Sequence, residues 1–481
     1  MKKLSLLFGI LLLVSSCEST DIPNPNSPTS TAVLGAPADY QAVIDGAYYS
    51  WWNALHKYTP YNTLMVAADF GTSSWGNFGM RDVGTVSNSP YGLGDHAAIN
   101  NSTTYGNSAF LTTPYYGLSS AIVAVNTIFN EININGIEVI QADGTNNTNH
   151  VLATGHFARG ISYGYLSLLY DKSFVYLEGQ DPATLTADAL LPYTDVYAQA
   201  ITDLEAAITL ANGLSSMTVS GFNGLILDKT QFLQAANSFI AKFTAQLART
   251  SAENSTADWA KVLTTSNKGM TFNLAPIGDG GTSWWHANYL FSNPGWLRVD
   301  QKIINMVDPS QPYPFPAEGN YNIPATMPDQ RFGVGKDFIP QASVPFRSDR
   351  GIYFYSYYSF ARDAAYASDL TLPMISFSQV ENDLLKAEAL IRTNGDKNMA
   401  ATLINKTRVT RGGLPAATGA DADLIDKLFY ERYLNAYEGP GSPFFDRRRT
   451  DDLGKKQFTQ FPIPALELQT IGAEEYTTGG I

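Results

Sequence analysis

The chain has 481 residues, with 31 Lys+Arg against 44 Asp+Glu and a formal net charge of −13. Charged residues make up only 16% and aromatic residues 12%, while the hydrophobic share is 44%. So acidic a chain lacks the clustered Lys and Arg that bind phosphate, which excludes a general nucleic-acid binder, and its apolar content excludes global disorder.

Met1–Ser16 reads as a signal peptide. Lys2 and Lys3 form a basic start, and Leu4–Val14 is an apolar stretch too short to span a bilayer. It ends in Leu13-Val14-Ser15-Ser16-Cys17, small residues before the single cysteine of the chain. That ending is similar to a bacterial lipobox, so Cys17 is the expected site of lipidation. One cysteine also excludes a disulfide framework. Without the two signal lysines, 29 basic residues face 44 acidic ones, a balance of −15. Residues 17–38 carry Pro23, Pro25, Pro28 and Pro37 among Asn, Ser and Thr, and read as the lipidated end and an extended tether. No later segment has the ~18 continuous apolar residues of a spanning helix. The protein is therefore expected to sit on a membrane by its lipid and not to cross it.

The regular signal in the body is helical. Tyr40, Val43, Ile44, Ala47 and Tyr48 predict a helix over 39–55. Further stripes predict helices over 115–132, 152–169, 193–210 and 232–248, with a short one over 258–263. Residues 379–392 and 399–410 form a pair split by the turn Asn394-Gly395-Asp396, and 424–437 is the last strong helix. Alanines inside these stripes allow close helix contact. Consecutive helices joined by turns predict a mostly α fold, a tetratricopeptide-like scaffold of stacked helical hairpins without a strict repeat signature. Two segments break the period: 67–113, rich in Gly, Ser, Asn and aromatics, and 271–378, rich in Pro, Gly, Trp and Tyr. They read as large irregular insertions with minor β-hairpins, one strand falling within 352–360. Loops of such length usually carry function. No boundary between independent domains is visible, so 39–481 reads as one domain.

Catalytic and metal motifs are weak. Gly160-Ile161-Ser162-Tyr163-Gly164 matches the hydrolase G-x-S-x-G pattern in letters, but that elbow needs a preceding strand, and here it falls inside a helical stripe. His56, His96, His150, His156 and His286 show no close ligand spacing. Phosphate-loop and dinucleotide fingerprints are absent from the sequence. Neither catalysis, a metal nor a cofactor is expected.

The C-terminal third carries an ordered series of motifs. Leu385-Lys386-Ala387-Glu388-Ala389 precedes Leu403-Ile404-Asn405-Lys406-Thr407-Arg408 and Arg411-Gly412-Gly413-Leu414. Then come Glu431-Arg432, Glu438-Gly439, Phe445-Asp446-Arg447-Arg448-Arg449, and Phe461-Pro462-Ile463-Pro464 with Glu467. The series resembles the SusD/RagB family, outer-membrane nutrient-binding lipoproteins of Bacteroidetes-type bacteria. Asp329 and Arg331 in one turn, and Tyr193 with Asp203-Leu204-Glu205 in one helix, resemble earlier family elements. The chain departs from the pattern at Glu438–Asp446, where Pro440 and Pro443 predict a loop, and at Leu169–Phe174, where relatives carry a Gly-Asp turn. Glu388, Arg408, Glu431, Arg432, Asp446 and Arg447 lie in or beside apolar helices and read as fold-holding ion pairs. Contact of Arg447-Arg448-Arg449 with anionic lipid is the other reading.

The resemblance implies a SusC-like TonB-dependent transporter as partner, with this protein as its lid. It also implies a cell-surface place on the outer membrane and an oligomeric nutrient as ligand, an oligosaccharide first and a peptide second. A surface glycosidase and a purely structural interaction protein are the rival classes. Family members bind on a shallow aromatic platform: an indole or phenol ring covers the C–H face of a sugar, and polar side chains bond its hydroxyl rim. Trp75 in the first insertion and Trp284, Trp285 and Tyr289 in the second are the candidate platform, with Asp69 and Arg81 as hydroxyl partners. The alternative is that the tryptophans pack their loops down, with only one of Trp284 and Trp285 facing out. Trp51 and Trp52 are expected in the core.

Overall fold

The computed structural model describes residues 34–57, 59–87, 94–288, 291, 293, 295–313, 326–341 and 354–479. The signal segment, Cys17, residues 18–33 of the tether and Tyr289 lie outside the described residues.

Twelve helices carry the argument: α1 (Pro37–His56), α2 (Tyr61–Ala67), α3 (Ala109–Phe129), α4 (Thr148–Leu169), α5 (Tyr193–Gly213), α6 (Lys229–Gln246), α7 (Trp259–Ser266), α8 (Gln301–Val307), α9 (Gln379–Arg392), α10 (Lys397–Arg408), α11 (Leu424–Asn435) and α12 (Ser442–Arg448). The predicted stripes became α1, α3–α7 and α9–α11. Their ends follow local chemistry. Asp228 accepts from the Gln231 amide to start α6, and Ser378 accepts from Glu381 to start α9. Asp396 accepts from the Asn398 and Met399 amides, so the predicted turn also caps α10.

Neighbours in the chain are neighbours in space. α1 packs on α3, α3 on α4, α4 on α5, α5 on α6 and α6 on α7; α9 then packs on α7, α10 and α11. This is the expected stack of hairpins, with small two-stranded antiparallel pairs at its edges. Trp51 and Trp52 are fully buried, as expected. The letters G-x-S-x-G lie in mid-α4, where the Ser162 hydroxyl donates to the Ala158 carbonyl at 2.8 Å. The glycines serve packing instead. A Cβ on Gly160 would come within 2.8 Å of Leu204 on α5, and one on Gly164 would overlap the Phe243 ring on α6.

Two expectations need correction. Residues 442–448 are helical, not a loop. Pro443 sits in the first turn, where no intrahelical N–H is needed, and Gly441 enters with φ 72°. The insertions are also less irregular than they read, since 67–113 and 271–378 contain short helices and strands, α8 among them. The strand within 352–360 is Tyr358–Phe360, paired with Phe338–Pro340; residues 352 and 353 lie outside the described residues.

The C-terminal charges are internal. Arg449 forks onto Glu388 at 2.7 and 2.6 Å and onto Asp446 at 3.0 Å, and Arg432 reaches Asp446 at 2.7 Å. Arg331 bridges Asp329 and Glu431, and Lys242 holds Glu381 at 2.7 Å. Arg448 donates to the carbonyls of Leu168, Thr459 and Gln246. Arg447, Arg448 and Arg449 are each at most 1% exposed, so contact with lipid headgroups fails.

Gly164→Ala is expected to lower stability by about 1–3 kcal/mol or more through overpacking, read by chemical denaturation. Removing one partner of a buried pair strands the other charge, so Arg449→Met should cost roughly 3–5 kcal/mol. Arg449 and its neighbouring cations hold the Glu388 carboxyl down at about 2 despite its burial. A carboxyl depressed in the folded state gives stability above its unfolded pKa and loses it as pH falls. Wild type should therefore lose stability between about pH 4.5 and 2, and Arg449→Met should lose less across that window.

Candidate functional site

The two insertions meet. Gly71–Thr72 pairs antiparallel with Arg298–Val299, Gly71 opposite Val299 and Thr72 opposite Arg298. Asp300 donates its amide to the Phe70 carbonyl at 3.1 Å, and Ser73 donates its hydroxyl to the Trp296 carbonyl at 2.6 Å. The Trp75 indole N–H donates to the Gly295 carbonyl, and the Trp75 and Trp296 rings lie 6.5 Å apart, tilted by 41°. Both rings are half-buried. A two-residue ladder thus sets an indole from each insertion side by side.

Arg81 adjoins this pair. Its amide donates to the Trp75 carbonyl at 3.0 Å, and its guanidinium lies against Gly76, with the position of a Cβ there 3.6 Å from the Arg81 Cζ, an ordinary contact distance. Arg81 Nε is 3.4 Å from Asp82, and its side chain is 42% exposed. Asp82 also accepts from the Tyr105 hydroxyl and, at 3.2 Å, from the Asn107 amide. Burial and the Asp82 charge push the Tyr105 phenol well above its usual range, so it stays a neutral donor. These groups line a cleft of about 550 Å³ with Thr85, Asn100, Phe110 and Phe458. The cleft offers guanidinium and amide donors, one carboxylate acceptor and ring edges; neither indole lines it, and the Arg81 amide bond to the Trp75 carbonyl is what ties it to the indole pair. That set suits a ligand of many hydroxyls and apolar C–H faces, in the size range of small-molecule sites.

The other candidate residues fall elsewhere. Asp69 does not line the cleft. It is 5% exposed, 3.9 Å from His96 Nε2 and 3.7 Å from the Lys302 ammonium. Asp300 lies close by, and its burial with the Asp69 charge pushes its carboxyl well up. Trp284 is 8% exposed and packs on Trp52 at 5.3 Å and Tyr49 at 5.6 Å. This is the packing alternative weighed for it: its ring belongs to the apolar layer over α1. Trp285 is half-buried; its carbonyl accepts from the Trp52 indole at 3.1 Å, and the Lys57 ammonium lies 5.6 Å from its ring and from that of Tyr49. Of the pair, Trp285 is thus the more exposed. Asp82, Tyr105, Asn107 and Trp296 were not anticipated. Trp296 had a usable signal, an indole in the Pro-, Gly-, Trp- and Tyr-rich second insertion; the others became visible only once the first insertion folded back on itself. No cluster of metal-ligating side chains occurs among the described residues.

The fold is shared with solved proteins of the SusD superfamily. No protein-family model matches the sequence, and neither does any curated protein. Solved structures match over nearly the whole chain. A SusD superfamily protein from Bacteroides vulgatus aligns with a TM-score of 0.60 at 16% identity, covering 90% of this chain and 97% of its own. A SusD homolog from Bacteroides thetaiotaomicron aligns with a TM-score of 0.59 at 13% identity, covering 90% and 96%. A SusD-like carbohydrate binding protein from Bacteroides vulgatus aligns with a TM-score of 0.51 at 18% identity, covering 86% and 83%. The resemblance read from the C-terminal motifs is thus borne out in the fold.

Trp284→Ala is expected to destabilise the fold by about 3–5 kcal/mol, the usual cost of emptying a buried aromatic site. Trp75→Ala removes a half-buried ring and should cost clearly less. Paired denaturation curves check the order; equal losses would show that Trp75 is also a packing residue.

Proposed function

We propose that this protein is a nutrient-binding lipoprotein of the SusD/RagB type, anchored at the outer membrane through Cys17. It captures an oligosaccharide, without turnover, in the Arg81 cleft beside Trp75 and Trp296, and passes it to a SusC-like TonB-dependent transporter for which it serves as lid. The observation that carries the ligand class is the cleft itself. Phenol and phenyl rings stand beside a guanidinium, a carboxylate and amides, and Arg81 is offset by Asp82, so no net charge selects an ionic ligand. The fold supports the reading, as does the carbohydrate-binding description of one structural neighbour. The fixed indole pair gives affinity by covering sugar faces. The polar rim gives direction, because a ligand lacking the matching hydroxyls leaves those groups unpaired.

Calorimetric titration with a panel of oligosaccharides tests this. Wild type is expected to bind at least one glycan, and Trp75→Ala to weaken it by about tenfold or more, the equivalent of ~1.4 kcal/mol. Binding of oligopeptides with no glycan bound would overturn the glycan reading in favour of peptide capture. Release of shortened sugars would favour a glycosidase.

A further inference from the structure

A second cleft, of about 430 Å³, lies between α8 and α11. One wall is a single helical face, since Asp426, Phe429, Tyr430 and Tyr433 follow at three- and four-residue steps along α11. The opposite side of that helix is already committed to the interior, with Leu424, Leu428, Glu431 and Leu434 buried. α11 therefore has a second ring-bearing face, on which Phe429 and Tyr430 stay half-buried. The facing wall is built in the same way from Lys302, Asn305 and Met306 of α8, with Tyr313 beyond them.

Arg447 and Asp452 complete the lining. Asp452 takes Arg447 at 2.7 Å and Lys302 at 3.1 Å, and the Arg447 guanidinium lies 4.5 Å from the Tyr433 ring. Arg447 is 1% exposed, and its Nε is buried without a hydrogen-bond partner. Arg447 thus forms the floor of the cleft, while Asp452 stands at its open side. The charges lining the cleft are two of each sign, Lys302 and Arg447 against Asp426 and Asp452, so neither an anion nor a cation gains from the field. Asp426, at the open edge, and Asn305 offer further acceptors and donors.

We propose that this cleft is a second saccharide-binding site, separate from the Arg81 cleft. One sugar unit lies with its C–H face on Phe429 and Tyr430, and its hydroxyls reach Asp426, Asn305 and Asp452. The proposal rests on the glycan reading above for its ligand class, but on different residues. Two sites on one chain would hold a long glycan at two points, and the second engagement would be intramolecular.

The test uses the full-length protein carrying Trp75→Ala, titrated by calorimetry with maltohexaose, cellohexaose, xylohexaose and mannohexaose. It is expected to retain one-to-one binding of at least one of them. Adding Phe429→Ala, which removes a ring, or Met306→Trp, which fills the cleft, should weaken that residual binding by about tenfold or more. Thermal unfolding of each variant confirms folding, and Met306→Trp keeps the test open if Phe429→Ala unfolds. Residual binding unchanged by Met306→Trp overturns the second site. So does a Trp75→Ala protein that binds none of the four while wild type does, and the first cleft then stands. Wild type that binds only peptides overturns both readings.

Discussion

The fold turns on a set of buried charges paired chiefly with one another. Arg449, Asp446, Arg432 and Glu388 connect α9, α11 and α12, and Gln246 on α6 donates to Asp446 at 3.2 Å. A second set, Lys242, Glu381 and Ser442, ties α6, α9 and α12, all within 2.9 Å. Ions taken out of water are costly unless their geometry is met. Each arginine fork accepts only one spacing and angle between the helices that flank it. Apolar packing alone would let the hairpins slide, whereas these forks set their register.

That register carries outward. α8 follows directly from the Arg298–Val299 strand and supplies Lys302, whose ammonium joins Asp69 of the first insertion to Asp452 after α12. The ionic interior thus reaches the foot of both insertions. From there the two-residue ladder fixes the Trp75–Trp296 pair. The second proposed sugar site stands on α8 and α11, whose far sides are held in this interior, so its binding groups need little ordering when a ligand arrives.

Much of the scaffold was legible in the sequence because helical stripes are local. α9 runs over 379–392 as its period indicates, and its motif glutamate, Glu388, is the buried partner that its setting implied. α12 was misread because two prolines look like breakers, whereas one of them occupies the only turn of a helix that tolerates it. The candidate site was legible only in part. Trp75 and Arg81 are found together in the cleft region, but Asp69 and Trp284 turned inward. Sequence reports that a loop is rich in aromatics; which ring faces water is decided by a partner elsewhere, such as Trp52 for Trp284. Trp296, Tyr105 and Asn107 depend on pairings that no local pattern records.

The junction of the insertions also bears on how the molecule is made. Ser73 and Trp296 lie 223 positions apart in the chain, yet a hydrogen bond joins them. The helical hairpins contact their sequence neighbours and can form while little loop entropy has been lost. The junction closes a loop of 223 positions and gains only a few bonds for it. It is therefore among the last parts to assemble, after the scaffold has brought its ends together. A newly made chain would have its helices in place before it had anything to grip with.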